Sequence, residues 1–83
     1  MKTTEDIKSK LHQALSYYTQ ADDDDSKYIC NGIMNALVLV EASATLPENS
    51  KERTIQLYTA REIANDCEKI KQLETGTGFG VAA

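Results

Sequence analysis

The chain has 83 residues, 41% of them hydrophobic and 27% charged, and its 13 acidic side chains outnumber 9 basic ones for a formal net charge of −4. That balance belongs to one small folded domain rather than a disordered segment, with a core thin enough to need support from a metal, a disulfide or an associated chain. The lysines and arginines are scattered without a run, so the clustered positive charge that direct nucleic-acid binding requires is missing.

The opening, MKTTEDIKSKLHQALSYYTQ, mixes acids among its bases and has no apolar run, so no secretory signal is expected and the default compartment is the cytoplasm. Ile7, Leu11, Ala14, Leu15 and Tyr18 follow the three-and-four spacing of an amphipathic helix, predicted over residues 4–19 with Thr3 or Thr4 as its cap. Tyr17 and Tyr18 diverge by about a hundred degrees, so only one of them, Tyr18, lies on the apolar stripe.

Four consecutive aspartates, Asp22, Asp23, Asp24 and Asp25, precede the most apolar stretch of the chain. A second helix is predicted from Ser26 to about Ala44, capped by Asp25 or Ser26, with Ile29, Ile33, Leu37 and Val40 on one face. Met34, Val38 and Leu39 widen that face toward the whole circumference, more than two neighbouring helices cover, which predicts a homodimer through this helix. The segment 28–44 is too often interrupted, by Asn31, Asn35 and Glu41, to be a membrane span. A rival reading pairs 36–40 with 54–59 as a strand hairpin, but two strands alone leave both edges bare.

Pro47 ends the second helix. Asn49 or Ser50 then caps a third, predicted over 50–74, with Glu52 at capping-box spacing from Asn49. Its stripe runs through Ala60, Ile63, Ala64, Cys67, Ile70 and either Leu73 or Glu74, while Arg61, Glu62, Asp66, Glu68, Lys69 and Lys71 form a solvated face. Gly76 suits the left-handed position after a helix. Residues 75–83 read as a flexible glycine-rich tail whose one aromatic, Phe79, is free to dock in a groove of a partner.

The chemistry of an enzyme is not expected. His12 is the single histidine, it has no neighbour suited to orient it, and acidic Asp66 and Glu68 flank Cys67 and work against a thiolate. Cys30, Cys67 and His12 do not have metal-ligand spacing, and the aspartate run lacks the glycine and glutamate of a helical calcium loop, so neither a metal nor another cofactor is expected. In a helical hairpin turned at Pro47 the two cysteines fall within about one turn of each other. In a reducing compartment they remain thiols.

The fold class expected is thus all-α: a small three-helix bundle, made of a helical hairpin over 26–74 plus an N-terminal helix, forming a single domain over 1–74. In size, acidity and helical pattern the chain resembles the small bacterial and phage helical proteins that bind and inhibit another protein, bacteriocin immunity proteins among them, and the resemblance implies a regulatory or inhibitory binding module. The alternative use of Asp22–Asp25 is an acidic decoy that mimics nucleic acid. The expected partner-binding residues are Asp22, Asp23, Asp24, Asp25, Met34, Val38, Leu39 and Phe79, and the expected partner is a protein.

Overall fold

Apolar residues recurring every three or four positions wind the chain into three helices in the computed structural model, which describes residues 2–79. They are α1 (Lys2–Ala21), α2 (Asp24–Ser43) and α3 (Lys51–Thr75), and among the described residues there is no strand. The rival hairpin of 36–40 with 54–59 does not form: both segments lie inside helices, where their apolar side chains find cover that two strands lack. Each helix packs against the other two. The two-residue link at Asp22 and Asp23, and the short turn around Pro47, reverse the chain twice, so neighbours in sequence run antiparallel. No described helix is long and apolar enough to cross a membrane.

The ends differ from the sequence-based expectation in ways with physical causes. Helix α1 begins at Lys2, so Thr3 and Thr4 belong to its first turn instead of preceding it. Helix α2 begins at Asp24, capped by Asp23 and not by Asp25 or Ser26. The Asp23 carboxylate accepts from the Ser26 amide at 2.7 Å, while Ser26 is buried under the turn. At the far end Ala44, Thr45 and Leu46 donate to carbonyls three residues back, tightening the last turn before Pro47. Ser50 caps α3, its hydroxyl accepting from the Arg53 amide at 3.1 Å, so the Asn49 to Glu52 box is not used. Gly76 closes α3 in the left-handed region, at φ 83°, as its sequence position implies.

The core is built from Ile7, Leu11, Ala14 and Tyr18 of α1, Ile33, Ala36 and Val40 of α2, and Ala60, Ala64 and Cys67 of α3. The buried side chains of α3 are all small, and its Leu57 and Ile63 pack against this core from partly buried positions. Leu11, Ile33 and Val40 are fully buried, each worth about 1.5–3 kcal/mol of transfer free energy. Ser43 is equally buried and donates to the Val40 carbonyl at 2.6 Å, so its hydroxyl is satisfied. Cys30 packs against this core from the side and both cysteines are free thiols.

The stripe of α3 needs correction beyond Cys67. Steps of three residues lag a full turn by about 60°, so Ile70 and then Leu73 rotate off the buried face. Leu73 is 84% exposed. Lys71 occupies the position they vacate, and the chain beyond Gly76 folds back upon it: the Lys71 ammonium donates to the Thr77 and Gly78 carbonyls and lies over the rings of Tyr17 and Phe79. Phe79 is buried, edge-on to Tyr17 and Tyr18 at 5.8 and 6.2 Å. A Cβ on Gly78 would stand 3.1 Å from the Gln72 amide and 3.2 Å from the Glu68 carboxylate, so the segment passes close to α3. Residues 80–83, the rest of the expected tail, lie outside the described residues.

Candidate protein-interaction site

An up-down-up chain brings the end of α1, the start of α2 and the end of α3 to one pole of the bundle, and the acidic run falls there. Asp22 makes the reversal with φ 52°, a left-handed conformation that a short polar side chain tolerates better than a branched or bulky one. Asp23 caps α2, and the hydrogen bonds from the Ser26 amide and hydroxyl hold its carboxyl below the usual carboxylate range. Asp24 and Asp25 occupy the first turn of α2, where the helix dipole favours negative charge. All four are exposed. Of the four carboxylates Asp23 alone has a structural partner: among the described residues, those of Asp22, Asp24 and Asp25 make no hydrogen bond or ion pair within the chain.

Two open grooves meet at Asp24. The larger, about 790 Å³, runs between α1 and α2, with Tyr18, Tyr28, Cys30 and Met34 as its apolar wall and Asp22 and Asp24 at its mouth. Its volume lies within the ~300–1,000 Å³ typical of binding sites. Lys27 is the one cation among its lining residues. The smaller, about 390 Å³, lies over the pole, lined by Asp23, Asp24 and Asp25 together with Glu74, Tyr17 and Tyr18. The pole therefore combines several uncompensated carboxylates with aromatic surface, an arrangement suited to cationic side chains carried on an apolar segment.

The remaining expected residues part company. Met34 and Val38 stay exposed, at 55% and 65%, on the outer side of α2, joined by Tyr28 at 79%, whereas Leu39 is half-buried. Phe79, expected to reach for a partner, is spent inside the chain, as described above. Tyr17 is covered in the same way, by Phe79 and Lys71. Two members of the pole escaped notice in the sequence. Glu74 reads in the sequence as the alternative to Leu73 at the end of the α3 stripe, and only the topology brings it to the same pole as Asp25. Tyr28 was masked by the apolar run that follows it.

The chain's other reactive groups are held quiet. Burial, with Asp66 and Cys30 nearby, pushes the Cys67 thiol up to about 11, so it stays protonated at neutral pH. Burial likewise raises the Tyr18 phenol to about 12, and its hydroxyl donates to the Cys67 carbonyl at 3.1 Å. His12 is exposed beside Glu41, whose carboxyl is lowered chiefly by its hydrogen bond from Lys8 at 2.8 Å. Among the described residues no three His, Cys, Asp or Glu side chains come together as a metal site. No protein-family model matches the chain, and no curated protein or solved structure is significantly similar to it.

Proposed function

We propose that the chain is a small acidic protein-binding module, a regulator or inhibitor that acts by occupying a basic surface of another protein, and that it works as a homodimer through α2. The observation that carries the reading is the spare charge at one pole. Beyond the reversal at Asp22 and the dipole end occupied by Asp24 and Asp25, the carboxylates of these three have no partner among the described residues, they are exposed, and Glu74 joins them from a different helix. Clustered like charges oppose folding, and a cationic surface met in a complex offsets that cost. The wet aromatic face of Tyr28, 79% exposed, supplies apolar contact beside that charge. Nothing in this reading calls on catalysis, a cofactor or a membrane.

A decoy for nucleic acid is the second reading, and the same free carboxylates favour it. The two differ in the partner, which in the decoy case loses its DNA or RNA when the module binds. The test of both is capture of partners from cells that make the protein, comparing wild type with the triple variant Asp22→Asn, Asp24→Asn and Asp25→Asn, which leaves the Asp23 cap in place. Capture that is lost in the variant and weakens steeply with salt supports the acidic pole as the binding site. Equal capture by both forms removes it. Release of bound nucleic acid from the captured partner selects the decoy.

A further inference from the structure

Along the outer side of α2, Lys27, Asn31, Met34, Val38 and Glu41 recur at steps of four, three, four and three residues, the 3.5-residue period of a helix-to-helix seam. All five are exposed. Apart from the ion pair of Glu41 with Lys8 of α1, the packing of the bundle does not use this seam, because α2 buries Ile33, Ala36 and Val40 in the core instead. Its apolar residues lie in the middle, with a cation toward one end and an anion at the other. That order selects an occupant. A parallel copy of α2 sets Lys27 against Lys27 and Glu41 against Glu41, whereas an antiparallel copy brings opposite charges together at both ends.

We propose that a second copy of this chain covers α2 in an antiparallel two-fold arrangement, with Met34 level with Val38 of the second copy and Lys27 paired with Glu41 of the second copy. In this register Lys27 and its acidic partner are offset by four residues, about 6 Å along the axis, a span that a lysine side chain bridges. The two-fold repeats each contact, giving two apolar layers flanked by two ion pairs. Glu41 can take the added cation: Lys8 engages one of its oxygens and its side chain remains 68% exposed. The second copy covers Lys27, Asn31 and Met34 on one wall of the larger groove, while Asp22 and the smaller groove over the pole lie outside the seam. The register rests on the dimeric reading proposed above, and the experiment separates the two.

Sedimentation velocity across the micromolar range is measured on wild type, on Lys27→Glu, on Glu41→Lys and on an equal mixture of the two variants. The expected result is a wild-type dimer, weakened roughly tenfold or more in each single variant because both symmetric pairs become repulsive. The mixture regains wild-type affinity, since a heterodimer of the two variants has a Glu–Lys pair at each end. Far-UV circular dichroism checks that each variant is helical. If Glu41→Lys is not, Glu41→Gln reads the same pair as a smaller loss. A wild type that stays monomeric overturns the dimer and its register together. A wild-type dimer whose variants associate no better mixed than alone, or is unweakened by either substitution, overturns the register and leaves the dimer standing.

Discussion

Phe79→Ala separates a docked C-terminal segment from a loose one. Burying a phenylalanine contributes about 1.5–3 kcal/mol, and edge-on contact with Tyr17 and Tyr18 about 0.5–1.5 kcal/mol more. The cation of Lys71 over its ring contributes roughly 0.5–1 kcal/mol. Ordering the chain opposes these gains: holding Thr77, Gly78 and Phe79 costs about 1–2 kcal/mol per residue, and truncation at Phe79 releases part of that cost. The Gly76 cap survives either way, because its amide donates to Gln72 within the helix end. The net loss expected is about 1–2 kcal/mol, which for a domain of this size lowers Tm by roughly 5–15 °C. Urea unfolding followed by circular dichroism measures it, with an unchanged m-value showing that native and unfolded states keep their compactness. A change no larger than the ~0.5 kcal/mol of an ordinary surface substitution refutes the docking of Phe79.

Further expectations concern the cap, the core and the thiols. Asp23→Asn keeps an acceptor for the Ser26 amide, so α2 remains capped, but it removes a titrating group. Because the Asp23 carboxyl is depressed from its ordinary 3.8, its stabilisation is complete above that value and is lost as pH falls through the lower folded value. Acid unfolding of the variant is correspondingly less steep than that of wild type below pH 3.8. Ile33→Ala, at a site with no exposure, costs about 2–5 kcal/mol in denaturant unfolding, and a value under 1 kcal/mol contradicts its place in the core. At pH 8 iodoacetamide modifies Cys30 well before Cys67, as read by peptide mass spectrometry, since Cys67 is buried and its thiol is raised to about 11. The stability linked to Cys67 and Tyr18 is intact below their ordinary values of 9.0 and 10.0 and fades as pH rises through about 11 and 12.

Much of the fold was legible because periodicity and punctuation agreed. Ile7, Leu11 and Tyr18 marked the buried face of α1, Ile33 and Val40 that of α2, and Gly76 the end of α3. Local rules erred where two signals competed. Any of several adjacent aspartates and serines can cap α2, and the choice of Asp23 follows from burying Ser26 beneath the turn, a tertiary effect. Ile70 and Leu73 read as core because an apolar residue every third position looks like a stripe, although it drifts around the helix. The return of Phe79 to Tyr17 and Tyr18 is a contact across the chain, invisible to any window of sequence. The acidic half of the candidate site was plain in the sequence, but its completion by Glu74 needed the topology.

The most direct test of the acidic pole is hydrogen exchange of the protein alone and in complex with its captured partner. Protection gained over residues 22–28 and around Glu74, beyond whatever α2 shows in the free protein, is the expected result. Protection confined to the opposite pole, around the exposed Ile55 and Tyr58 near the start of α3, contradicts it.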